Sequence, residues 1–203
     1  MTSEDIKLPE FLKDGLYFSC EKCGACCKGF NNGEVYIYKE DIEILVEHLN
    51  KKGKNYTLES FAKKHLKLIR TSFYWRKEGT TKGKNYYFFS LGFKFIGNDE
   101  HCEFINNNNN LCTVHKARPF QCRAYPIGWN MLIKNMRNFR KYSRECLALR
   151  KSLEKIGKLH SPEQIIDWAK REYELEKNFF LEIKKNNFNI FKTYKFLPKD
   201  ISK

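Results

Sequence analysis

Residues 20–27 read Cys20-Glu21-Lys22-Cys23-Gly24-Ala25-Cys26-Cys27, a Cys-x2-Cys-x2-Cys-Cys run. Free thiols gain little by clustering and expose one another to oxidation, so a run this dense calls for a chemical reason. Downstream lie Cys102, Cys112 and Cys122, each separated by nine residues, and finally Cys146. Eight cysteines suit two four-thiolate metal sites, or one cluster with a helper thiol beside it. The pattern predicts a fold organised around a metal.

The Cys20–Cys23 spacing lets two sulfurs meet one ion while nearby backbone N–H groups bond to them, and Gly24 relieves the turn that follows, as in zinc knuckles. Cys20, Cys23 and Cys26 equally reproduce the three-cysteine core of bacterial ferredoxin-type loops, whose fourth ligand is remote. Spacing leaves zinc and iron–sulfur both open. Adjacent residues of an extended chain point in opposite directions, so Cys27 shares a compact site with Cys26 only through a sharp turn. It is expected to reach a second site or to stand beside the first as a reactive thiol, unless it is a buried spare.

The second group runs Cys102 … Cys112-Thr113-Val114-His115-Lys116-Ala117-Arg118-Pro119-Phe120-Gln121-Cys122-Arg123-Ala124-Tyr125-Pro126. Its wide gaps suit ligands carried on separate strands or turns. Arg118 and Arg123 are expected either to offset thiolate charge and donate hydrogen bonds to the sulfurs, or to make structural ion pairs. His115 reads as a supporting or packing residue, because eight thiols already suffice. His48, His65, His101 and His160 carry no clear signal. Pro119 and Pro126 are expected to fix the turns that aim Cys122.

A chain of 203 residues can bury a core without disulfide staples. Glu4, Asp5, Lys7, Glu10, Lys13 and Asp14 break up any apolar leader, and no run approaches the ~18–20 apolar residues that cross a bilayer. The expected setting is a reducing cytoplasm, where clustered cysteines bind metal or do redox work. The net charge of +14 invites a nucleic-acid reading. Eight thiolates holding two divalent ions would lower it to about +10, and the lysines are scattered.

Between the cysteine groups the pattern is mixed. Glu34–Tyr38 predicts a strand with Val35 and Ile37 on one face. Lys39–Leu49 predicts a helix, with Ile42, Leu45, Val46 and Leu49 at the spacing of one buried face. Gly53 lies in a turn, and Leu58–Leu66 predicts a second helix capped by Thr57. The aromatic stretch Leu68–Ile96 predicts two or three antiparallel strands leading to Cys102. Asn106–Asn110 forms an exposed tip. Ser161-Pro162-Glu163 starts a long helix with an apolar stripe through Ile183. The expected fold is α+β: a small antiparallel sheet with flanking helices around a cysteine-rich metal site in residues 1–150. A helical C-terminal extension, residues 151–203, packs on the same domain.

The run from Phe18 to Gly29, followed by Asp41-Ile42-Glu43, resembles the YkgJ-type cysteine-cluster (CxxCxxCC) family, as do Cys102 … Cys112 … Arg118-Pro119 … Cys122-Arg123-Ala124-Tyr125-Pro126. The resemblance covers roughly Phe18 to Cys146 and implies a zinc- or iron-chelating domain with eight cysteines. The tail after Cys146 lies beyond it. The ligand set expected is Cys20, Cys23, Cys26, Cys27, Cys102, Cys112, Cys122 and Cys146, holding an iron–sulfur cluster of the [4Fe-4S] type or Zn2+.

Three functions follow as expectations: an iron–sulfur protein with a redox or protein partner, a zinc-stabilised module binding nucleic acid or protein, and a relative of flagellin lysine N-methylases, which carry a similar cysteine domain. The last lacks a glycine-rich nucleotide loop and the radical-type Cys-x3-Cys-x2-Cys pattern. No catalytic residue is assigned by any of them.

Overall fold

The computed structural model describes residues 6–27, 34–77, 79–96, 101–106, 108–128 and 135–201. Gly29 of the cysteine loop, Asn107 of the asparagine tip and the first five residues of the lead-in lie outside them. The chain enters through a 3-10 turn at Glu10–Leu12 and strand β1 (Leu16–Tyr17), with Leu12 and Leu16 buried. A second 3-10 turn, Ala25–Cys27, closes the cysteine loop. Strand β2 (Tyr36–Ile37) is shorter than the alternation of 34–38 predicts.

Helix α1 (Lys39–Asn50) buries Ile42 and Leu45, the face its periodicity marks. Helix α2 (Leu58–His65) begins where Thr57 Oγ1 accepts the Ser60 N–H at 3.1 Å, so the predicted cap is present. Two ten-residue strands follow, β3 (Leu66–Trp75) and β4 (Lys84–Phe93), antiparallel from Leu66↔Phe93 to Trp75↔Lys84. With β2 they form one sheet of order β2-β4-β3.

Short paired strands then carry the second cysteine group: β5 (Phe95–Ile96) with β6 (His101–Cys102), and β7 (Ile105–Asn106) with β8 (Leu111–Cys112). Cys102 lies opposite Phe95, and Cys112 opposite Ile105. Of the asparagine tip, Asn106 ends β7 and Asn108–Asn110 form a turn before β8, with Asn110 at φ 54°, a left-handed conformation that asparagine tolerates. Beyond it come α3 (Phe120–Ala124), α4 (Met136–Glu145), α5 (Leu147–Lys151), β9 (Leu159–His160), α6 (Pro162–Lys185) and α7 (Ile190–Thr193).

Helix α6 starts as predicted: Ser161 Oγ accepts the Gln164 N–H at 3.3 Å, and Pro162 occupies the first turn. Its stripe lies across one face of the sheet. Phe180 is fully buried against Phe73 (4.9 Å between ring centres), Trp75 (5.5 Å) and Tyr86 (5.4 Å). The aromatic stretch therefore builds the sheet–helix core, each buried ring contributing about 1.5–3 kcal/mol. On the other face, at the Leu66–Phe93 end, Phe93 meets Phe104 at 5.4 Å, and Phe104 stacks on Phe61 of α2.

The C-terminal extension is stitched to the cysteine loop. Strand β9 pairs antiparallel with β1, the Phe18 N–H donates to the Lys158 carbonyl (2.8 Å), and the Lys158 N–H donates to Ser19 Oγ (2.9 Å). Gly157, at φ +126°, lets the two backbones approach; a Cβ there would lie 3.0 Å from the backbone of Phe18 and Ser19. No described helix is long and apolar enough to cross a membrane.

Candidate metal centre

All eight cysteines are free thiols, and all eight line one cavity of about 480 Å³. Five chain segments bring them there: the 18–27 loop, the two small hairpins, α3, and the α4–α5 junction.

Gly24 docks the loop on the hairpins. It has φ +73°, and a Cβ at this position would sit 2.6 Å from Ile105 Cδ1 and 3.1 Å from Asn110 Cβ. Glu21 anchors the other side through an ion pair with Lys151 at 2.8 Å. Gly24→Ala is expected to destabilise the protein by about 1–3 kcal/mol, since it combines a positive φ with a close approach to Ile105 and Asn110. Chemical denaturation measures this, and an unchanged midpoint would mean the loop does not need this docking.

Two side chains that sequence reading passed over fix α3 and with it Cys122. Asp41, buried on α1, accepts the Phe120 N–H (2.9 Å) and the Tyr38 N–H (3.3 Å), so one carboxylate caps both α1 and α3. Burial raises the Asp41 pKa, and the two N–H donors and Arg123 oppose that rise. Gln121 bridges α3 to β2: its Oε1 accepts the Tyr36 N–H (2.6 Å) and its Nε2 donates to the Glu34 carbonyl (3.1 Å). Asp41 stands in the Asp-Ile-Glu segment quoted above, but its capping partner is 79 residues away, beyond any local pattern.

The ligand-bearing geometry departs from the wide-gap expectation at Cys122, which is carried on a helix rather than a strand or turn. Pro119, three residues before it, holds the N-cap position of that helix, and Tyr125-Pro126 after it is a cis peptide. Cys26 and Cys27 meet through the sharp 3-10 turn: their sulfurs are 4.0 Å apart.

Backbone N–H groups are aimed at several of the sulfurs. The Lys22 N–H donates to Cys20 Sγ at 3.4 Å, and Phe104, Val114 and the Ala148–Leu149 pair do the same for Cys102, Cys112 and Cys146. Such donors favour thiolate over thiol. Against them, burial pushes Cys102 up to about 12 and raises Cys112, Cys122 and Cys146. Cys26 is raised first by its contact with the Cys27 thiol, then by burial.

Opposition to ionisation shows which sulfurs influence one another, with Cys26 common to both groups. Cys122 is opposed by Cys102, Cys26 and Cys112, whereas Cys146 is opposed by Cys23 and Cys26. Among the described residues no three His, Cys, Asp or Glu side chains are close enough together to hold a single metal ion. As a donor set the cavity nevertheless fits a thiophilic metal: buried sulfurs, N–H groups that stabilise their anionic form, and a cation beside them.

That cation is Arg118. It lowers the pKa of Cys26, Cys112 and Cys122, and its buried Nε has no hydrogen-bond partner among the described residues. Arg123 also lines the cavity, but its electrostatic partner is Asp41 and its guanidinium lies 5.9 Å from the Phe120 ring. His115 is exposed and does not line the cavity.

Phe18, Phe93, Phe104, Tyr125, Tyr142 and Trp168 form the apolar wall. Of these, only Phe93 belongs to the aromatic stretch Leu68–Ile96. His160 and Trp168, whose rings are 5.5 Å apart, come from β9 and α6, so the C-terminal extension completes the cavity.

A family model described as "CxxCxxCC: Putative zinc- or iron-chelating domain" matches residues 19–147, the segment that supplies every cysteine. Neither a curated protein nor a solved structure matches the chain.

Proposed function

The chain belongs to the CxxCxxCC family of zinc- or iron-chelating domains, and from that premise we propose that its cavity holds an iron–sulfur cluster serving electron transfer. The observation that supports this is the quartet Cys26, Cys102, Cys112 and Cys122: thiols from four separate elements that line one apolar-walled cavity, three of which help raise the pKa of the fourth, Cys122. Four thiolates are the usual ligand set of such clusters. Bound there, the cluster supplies one-electron redox chemistry.

The chain's own residues do the rest. Phe104 and Val114 N–H groups stabilise anionic sulfur at Cys102 and Cys112, and Arg118 offsets negative charge. The aromatic wall excludes water and so helps set the reduction potential. Cys20, Cys23, Cys27 and Cys146 form the remaining set, around the loop and the α4–α5 junction. A cytoplasmic setting belongs to the same proposal, because eight free thiols need reducing surroundings.

Zinc is the second reading, favoured by the Lys22 N–H on Cys20 Sγ, which is the backbone pattern of a zinc knuckle. Metal and acid-labile sulfide analysis of protein purified without oxygen decides between them. Iron with sulfide and a brown absorption band is the expected result. Colourless protein with about two zinc ions per chain, the number eight thiolates saturate at four each, would replace the redox reading with a zinc scaffold.

A further inference from the structure

The β3–β4 hairpin has two unlike faces. On the inner face Phe73, Trp75, Tyr86 and Phe88 all make ring contacts with Phe180 of α6. Pairing of Arg70 with Phe89, Ser72 with Tyr87 and Tyr74 with Asn85 puts these six residues on the outer face. Near the Leu66–Phe93 end that face is buried; beyond Leu68 it is open. Tyr87 is 78% exposed and Tyr74 54% exposed. Neither they nor Phe89 make a ring–ring contact with a described residue.

Two of the outer rings are held in place. Tyr74 lies against Gly83, where a Cβ would fall 2.8 Å from Tyr74 Cζ, and its hydroxyl accepts the Gly83 N–H at 3.2 Å. The Arg70 guanidinium sits 5.9 Å from the centre of the Phe89 ring. Tyr87 and Phe89 are same-face neighbours along one strand, about 6.8 Å apart by strand rise. That spacing suits two consecutive bases of an extended single strand, each with an aromatic ring to stack on. The charge agrees: Arg70 lies on this face, and the tip of the hairpin carries Arg76, Lys77 and Lys82 against a single acid, Glu78. Strand β3 is also the edge of its sheet, with no neighbour on its far side among the described residues.

We propose that the outer face of this hairpin binds single-stranded nucleic acid, with bases stacked on Tyr87, Phe89 and Tyr74 and phosphates met by Arg70 and the basic hairpin tip. The partner follows from the pairing of the exposed Tyr74 and Tyr87 rings and the half-buried Phe89 with a mainly basic border, since phosphate chains present alternating bases and negative charge. The inference does not depend on which metal fills the cavity.

The test is fluorescence anisotropy with a labelled oligouridine and the metal-loaded full chain, at several salt concentrations. Binding that weakens with salt is expected, as phosphate contacts require. Tyr87→Ala should weaken it roughly 5- to 150-fold, the loss of one base stack. Tyr87→Phe, which keeps the ring, should restore it. Because Tyr87 is so exposed, the Tyr87→Ala protein should melt as the parent does, separating lost binding from lost fold. Lys13→Ala, in the segment leading to β1, should leave binding unchanged. Three results would overturn the proposal: no binding at low salt, equal losses from Tyr87→Ala and Lys13→Ala, or a self-association in sedimentation that Tyr87→Ala abolishes, which would make the face a homodimer surface.

Discussion

Removing the metal with a chelator is expected to lower the melting temperature by roughly 10–20 °C or more. The cavity gathers thiols from segments as distant as Cys20 and Cys146, so a bound metal cross-links them in addition to the contacts of Gly24 and Glu21, the Asp41–Gln121 braces and the β1–β9 pairing. Where a site forms only in the folded chain, metal-binding free energy is folding free energy, about 10 kcal/mol or more for structural zinc. Even half of that, about 5 kcal/mol, corresponds to a shift of roughly 10–20 °C for a chain of this size.

The pH dependence should reverse on chelation. Without metal, Cys102, Cys112, Cys122 and Cys146 are held as thiols, with pKa values above the ordinary 9.0 and Cys102 at about 12. A folded-state pKa that is raised contributes stability below the unfolded value and loses it as pH climbs through the folded one. The chelated protein should therefore weaken from about pH 9 upward, each such thiol costing up to about 1.4 kcal/mol per pH unit. The loaded protein should instead weaken as pH falls, because protons compete with metal for sulfur. Melting curves across pH, with and without chelator, give both slopes. If the two series coincide, the cavity does not tie metal to folding.

Local pattern made the elements legible wherever burial and backbone preference agree. The Ile42/Leu45 face, the Thr57 and Ser161 caps and the aromatic strands are all readable within a few residues of sequence, and all are present. The cysteine ligand candidates were equally legible, because thiol clustering is a signal in itself. What could not be read was long-range. Asp41 capping a helix 79 residues on, Gln121 holding the β2 backbone, and Trp168 closing a cavity opened by residue 20 each depend on where the sheet places remote segments. The outward face of β4 was hidden for another reason. Tyr86-Tyr87-Phe88-Phe89 reads as uniformly apolar, so only the pleat reveals that Tyr87 faces solvent while Phe88 is buried. Arg118 and Arg123 looked alike in sequence and were separated only by their partners, thiols for one and a carboxylate for the other.

Cys122→Ser is expected to remove the quartet's metal, while Cys20→Ser leaves it bound. Cys122 is influenced by Cys26, Cys102 and Cys112, and α3, which carries it, is braced at both Phe120 and Gln121, so its sulfur holds a fixed place in the cavity. Serine nearly preserves the shape of cysteine, so no large cavity is created and the loss reports on sulfur rather than packing. Affinity should fall by more than the roughly 10- to 100-fold that follows loss of a hydrogen-bond partner behind a ligand. Gln121→Ala, which loosens α3 but keeps every thiol, should fall within that smaller range. Cys20, on the exposed loop, is outside the quartet, so Cys20→Ser should affect only the metal held by the remaining set. Metal content per chain and affinity by competition with a chromogenic chelator provide the comparison. The reverse order, with Cys20→Ser emptying the site and Cys122→Ser retaining full metal, would transfer the ligands to the ferredoxin-like spacing of the N-terminal loop. The quartet would then be a set of buried thiols that Arg118 merely accompanies.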